Sequence, residues 1–288
     1  MRPEGGRIPV STIGRPVDPS YPTNLAILVL SFLTLIAGLV TCLLQGEAFG
    51  ASLVGGLQWA GSVFLAWVLA READPDRWYS AFLAAAGGLA STVLLGPPGF
   101  VLLLWFVLGL RSISRTPGAS PGVLDVVGLY GITLWLGFTV HWIVALLAMP
   151  VIFFIDLCRF PKALRVGAAL ALPAAAIVLG IARGGQIALP EWGWVEIVLP
   201  TAIAAMVVPV IVGYRRVRSV GDRTGEPLKP RRVQWAIAWA VAVALILTLI
   251  GSASTQELAP IWAALAGTAL GWTAAKLLRQ AKPSNPVQ

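Results

Sequence analysis

Val126–Ile155, VVGLYGITLWLGFTVHWIVALLAMPVIFFI, runs for 30 residues with no acidic or basic side chain apart from His141. One straight helix of that length would measure about 45 Å, well beyond the ~30 Å of hydrocarbon that a span must cross. Folded back near Gly137 to His141, the run would instead make two short spans. The charges of the rest of the chain decide between these readings. With the turn, the N-terminal tail, the loops after the second, fourth, sixth and eighth spans, and the C-terminal tail share one side and carry 20 of the 21 Lys and Arg residues. Arg183 is then alone on the other side. Without the turn the division is 8 against 13. Cationic loops are retained in the cytoplasm, so the sequence predicts the turn, with both termini inside.

Working outward from that run, the apolar stretches place spans at 24–44, 49–70, 79–96, 98–113, 122–139, 140–157, 164–182, 192–213, 235–251 and 259–275. Gly96-Pro97-Pro98-Gly99 separates the third from the fourth, a strong turn signal. In hydrocarbon every backbone N–H and C=O needs a partner within the protein, which leaves helices or a closed barrel. The alternating strand pattern of a barrel is absent. The expectation is an all-α polytopic transmembrane bundle of about ten spans, lying in a cell membrane of the bacterial inner-membrane type. It divides into a cytoplasmic tail (1–23), an eight-helix bundle (24–213), a basic cytoplasmic loop (214–234), a transmembrane hairpin (235–275) and a second cytoplasmic tail (276–288).

Composition agrees. Hydrophobic residues make up 57% of the 288, and charged residues 12%, about half the share of a soluble domain. The net charge of +8 does not indicate nucleic acid, because the cations sit at span ends and seven of them fall between Arg215 and Arg232. That loop, with its glycines and prolines, reads as a flexible linker drawn to anionic lipid headgroups, at about 1 kcal/mol per cation near the surface. Cys42 and Cys158 belong to opposite ends of spans and are not expected to pair. The polar first 20 residues do not resemble a cleaved leader, so the first span is expected to direct insertion. Trp78, Trp142, Trp192, Trp194, Trp235 and Trp262 fall near span ends, as an interfacial belt would.

Candidate chemistry gathers at the cytoplasmic side. Arg71, Glu72, Asp74, Asp76 and Arg77 crowd the loop between the second and third spans. Asp74 is placed to cap the third span, Pro75 to occupy its first turn and Asp76 to complement its dipole. Such carboxylates could alternatively hold Mg²⁺ with a substrate phosphate. Asp125 and Asp156 are further acids in apolar spans, with Arg111, Arg115 and Arg159 as candidate counter-ions. Ionisable groups at such positions are paired or functional. Gln58 is the clearest polar group at mid-membrane depth and is expected to bond between helices. No nucleotide-binding loop, zinc motif or nucleophile elbow occurs.

Three functions fit these features. A small-solute transporter is favoured by short loops and by Pro150, Pro173, Pro200 and Pro209 within spans, since broken helices often build binding sites. A membrane-embedded enzyme would use the cytoplasmic acids on a lipid-linked or phosphate-bearing substrate, with Mg²⁺ as its cofactor. A non-catalytic scaffold needs neither.

Overall fold

The computed structural model describes residues 11–14, 17–155, 162–182 and 193–281. Its helices, in chain order, are α1 (Pro22–Leu44), α2 (Phe49–Ala73), α3 (Trp78–Leu95), α4 (Phe100–Ser114), α5 (Val123–Thr139), α6 (Ile143–Leu147), α7 (Met149–Phe154), α8 (Lys162–Ala182), α9 (Trp194–Gly213), α10 (Pro230–Leu249) and α11 (Ala259–Ala281). Proline begins α1 and α10, where its missing N–H removes nothing that the helix would use. Gly96, at φ 100°, ends α3 in a conformation that a side chain would disfavour. Among the described residues α1, α2, α3, α9, α10 and α11 are long and apolar enough to cross a membrane, and shorter apolar helices lie among them. The chain is a multi-pass helical membrane protein.

The helices alternate between two ends. At one end the Gly99 N–H donates to Glu257 O and Gln256 Nε2 donates to Pro97 O, each at 3.1 Å, latching the α3–α4 and α10–α11 turns together. At the other end Arg232 donates to Ile113 O and Phe154 O. Asp125, in the first turn of α5, binds the N-terminal segment at that same end. The chain from 126 to 155 therefore leaves and returns, turning at Val140–Trp142, where the His141 and Trp142 rings lie 5.5 Å apart.

The return limb differs from the single span expected over 140–157. It is broken at Ala148 into α6 and α7, because Pro150 sits in the first turn of α7 and cannot continue a preceding helix. Trp239 Nε1 donates to the Leu147 carbonyl at 2.9 Å and so satisfies a backbone group at the break. Pro173, Pro200 and Pro209, by contrast, lie inside α8 and α9 without ending them.

The interior is filled by large rings and closed by small residues. Trp105, Phe106 and Trp239 pack with ring centroids 5.3–5.5 Å apart, and Trp105 Nε1 donates to Thr133 Oγ1 at 2.9 Å. A Cβ on Gly267 of α11 would lie 2.7 Å from Ser80 O of α3, so these two backbones meet almost directly, as membrane helices do at small residues. Phe32 and Leu33 of α1 and Val208 and Val212 of α9 face outward, toward lipid. Exposed Trp78, Trp194 and Trp235 suit the expected belt, but Trp262 is a core side chain.

Residues 214–229 are not a loose linker. Val220 and Pro227 form an antiparallel bridge. The Gly221 N–H donates to Glu226 O at 2.9 Å, and the Arg223 N–H reaches Pro117 O at 3.1 Å. The loop is a small hairpin folded onto the basic end of the bundle.

Candidate functional site

The last turn of a helix whose C-terminus carries a partial negative charge attracts cations. Arg111 occupies that position in α4, and its Nε donates to Glu72 Oε1 of α2 at 2.8 Å. The Thr116 hydroxyl donates to Glu72 Oε2, and Arg111 Nη1 also reaches Ile13 O at 3.3 Å. Glu72 is 1% exposed. Arg71, one residue earlier, turns its Nη1 to Pro75 O at 3.3 Å and tightens the α2–α3 turn.

Asp74 is wholly buried and fully engaged. Arg77 Nη1 donates to Oδ1 at 3.0 Å, the Tyr214 hydroxyl donates to Oδ1 at 2.9 Å and Ser80 Oγ donates to Oδ2 at 2.9 Å. Burial raises the Asp74 pKa, and Arg77, Ser80 and Tyr214 oppose that shift only in part. Burial, reinforced by the charge on Asp74, also pushes the Tyr214 phenol well above its ordinary range, so the phenol remains a donor. The Arg77 guanidinium lies 5.7 Å over the Tyr214 ring.

These contacts correct the capping roles expected of this loop. Helix α3 starts at Trp78 with Arg77 before it, and its first turn has no side-chain cap. Pro75 lies outside the helix, and Asp74 is the residue that ends α2. Asp76 turns away from α3 and accepts the backbone N–H groups of Arg218 and Ser219 at 3.0 and 2.9 Å. It fixes the basic hairpin to the α2–α3 turn.

Asp125 is not paired with Arg111 or Arg115. It accepts the Thr12 N–H at 2.8 Å, the Gly122 N–H at 3.0 Å and the Ser11 and Thr12 hydroxyls. Arg223 holds the other side of the same segment, donating to Ser11 O and Gly14 O at 3.0 Å. Residues 11–14 thus form a strap across the basic end. Arg115 takes a left-handed conformation (φ 59°) just after α4, so it does not continue the helical face of Arg111. Asp156 and Arg159, like Cys158, lie outside the described residues.

Gln58 is half-buried and makes no interhelical hydrogen bond among the described residues. Two large cavities among the described residues do not include it in their lining. One, of about 470 Å³, lies between α9, α11 and the α2–α3 turn, lined by Arg215, Arg216, Arg218, Trp272 and Lys276 among others. A second, of about 560 Å³, lies by the strap and the hairpin, and includes Asp18, Arg71 and Arg223. Both are at the basic end. Beside Glu72 and Arg111 there is space of only about 30 Å³, roughly that of one water. Among the described residues no group of three His, Cys, Asp or Glu side chains could hold a metal.

Tyr214, Thr116, Ser11, Thr12 and Arg223 were not identifiable from the sequence, because each acts through contacts with residues distant along the chain; Ser80 reaches Asp74 from only six residues away, across the α2–α3 turn. The 470 Å³ cavity did leave a trace there: Arg215-Arg216 directly after an apolar span, and Trp272 four residues before Lys276 at the end of another. No protein-family model, curated protein or solved structure matches the chain.

Proposed function

We propose that the chain is a non-catalytic membrane scaffold, which acts by presenting a fixed cytoplasmic surface. The observation that carries this reading is the saturation of the polar layer. Glu72, Asp74, Asp76 and Asp125 are each held by several donors of the chain itself. A metal or phosphate chemistry needs convergent oxygens with free lone pairs facing an opening, and these carboxylates are spread over separate internal tasks. The transporter that the sequence favoured would need a polar route near the level of Gln58. Between that level and the Glu72–Arg111 pair the interior is occupied by Trp105, Phe106, Trp239 and Thr133, and the prolines of α9 leave the helix continuous.

Cysteine accessibility tests the scaffold reading without knowledge of a substrate. In a chain with Cys42 and Cys158 replaced by alanine, Thr133→Cys is exposed to a membrane-impermeant maleimide in native membranes, and again after unfolding in detergent. Labelling after unfolding alone is expected. Labelling in the folded protein would establish a water path to mid-membrane and return the assignment to a transporter.

A further inference from the structure

The cavity between α9 and α11 gathers four cations on one space. Arg232, Arg223, Arg111 and Arg77 are all bonded internally. The side chains of Arg215, Arg216, Arg218 and Lys276 make no ion pair among the described residues, yet all four line one cavity of about 470 Å³. The acids nearby offset them only in part. Asp76, which also lines the cavity, sets one negative charge against the four cations, and Asp74 is buried against Arg77 and Tyr214. The ends of α9 and α11 contribute roughly half a negative charge each, which still leaves the cavity positive.

Depth narrows the choice of ligand. Helix α9 has 20 residues and measures about 30 Å, so Arg215 and Arg216 emerge where the hydrocarbon ends. Lys276 stands 17 residues after Ala259, the first of α11, about 26 Å along its axis, and reaches the same plane. Its Nζ lies 5.4 Å over the Trp272 ring, and tryptophan favours the headgroup layer. The neighbouring Val212 and Leu277 side chains are exposed, a surface suited to acyl chains. Arginine forks match phosphate oxygens two at a time.

We propose that this groove binds a phosphate-bearing anion in the plane of the inner headgroups, the group presented by an anionic phospholipid. Positive-inside anchoring alone would require cations at this depth, but not their convergence on one cavity beside an interfacial tryptophan. The expected contact with anionic lipid thereby narrows from the whole of 214–234 to Arg215, Arg216 and Arg218, joined by Lys276 from outside that loop.

The test uses the full chain in detergent and follows thermal stability during titration with phosphatidylglycerol, phosphatidylcholine or inorganic phosphate. Three proteins are compared: wild type, R215Q/R216Q, and K229Q/R231Q, which removes the same charge from outside the cavity. Stabilisation of wild type by phosphatidylglycerol but not by phosphatidylcholine is expected. It should weaken about thirtyfold in apparent affinity in R215Q/R216Q, at the usual contribution of each cation near an anionic surface, and persist in K229Q/R231Q. The same pattern with inorganic phosphate would assign the site to free phosphate and uphold the chemistry. Equal loss in both variants would reduce the effect to diffuse attraction, and no response of wild type to either anion would also overturn the proposal.

Discussion

Replacing Arg111 with methionine would take from the Glu72 carboxylate, 1% exposed, the guanidinium that bonds its Oε1. The bond lost is a charge-assisted contact of 2.8 Å between α2 and α4, on an arginine side chain only 13% exposed. Removing one partner of a buried ion pair costs about 3–5 kcal/mol, most of it the penalty of the stranded charge. The lost hydrogen bond to Ile13 O adds about 1 kcal/mol. At roughly 2–4 °C per kcal/mol for a large domain, the melting temperature should fall by at least about 8 °C. Intrinsic tryptophan fluorescence during heating in detergent would follow it, with 12 tryptophans as reporters. Adding Glu72→Gln to the Arg111→Met protein should restore most of the loss, because the charge that was stranded is gone. A single variant within about 0.5 kcal/mol of wild type, the range of an ordinary surface substitution, would refute the reasoning. So would a double variant no more stable than Arg111→Met.

Asp74 predicts a pH dependence. Its folded pKa is raised, so between the unfolded value, near ~3.9, and the folded one the native state binds the extra proton. Stability should therefore rise as pH falls through that window, and the Asp74→Asn chain should show a flatter profile over the same range. Tyr214→Phe removes one of three donors to the buried carboxylate and should cost about 1–3 kcal/mol, read by the same melting assay. Gly267→Ala would put a methyl carbon 2.7 Å from Ser80 O. It should destabilise by about 1–3 kcal/mol, whereas Gly128→Ala, with open space around it, should not destabilise. Asp125→Ala releases the strap at residues 11–14, and hydrogen exchange of the Thr12 amide, which Asp125 accepts at 2.8 Å, should accelerate severalfold with little change in melting.

The spans were legible because hydrocarbon demands long apolar runs, and nothing in a 23-residue segment such as Pro22–Leu44 interrupts one. The turn at His141 was legible through charge, since a misplaced span would reverse the side of every later cation. The ends of helices were less so. Arg71 and Glu72 read as loop because they are charged, yet α2 continues to Ala73. The ion pair that stabilises Glu72 there comes from Arg111, 39 residues away, and no local pattern announces it. The N-terminal tail likewise reads as polar and unremarkable until Asp125 gathers Ser11 and Thr12. The expected capping roles of Asp74 and Asp76 were sound local rules that longer-range donors overrode, Tyr214 for one and the backbone of Arg218 and Ser219 for the other. Gln58 shows the reverse error: a polar group at mid-depth implied a partner helix, and the chain supplies none among its described residues.

The account depends most on the return of the chain between Val126 and Ile155, because that turn fixes which residues share the basic end. Sided labelling tests it directly. With Cys42 and Cys158 replaced, His141→Cys and Arg223→Cys are each offered an impermeant maleimide in sealed vesicles of known orientation. The account predicts that His141→Cys labels from the extracytoplasmic side and Arg223→Cys only from the cytoplasmic side. Labelling of Arg223→Cys from the extracytoplasmic side, with His141→Cys unlabelled from either, would mean that the run crosses the membrane once, and would dissolve the shared polar layer on which the proposed function rests.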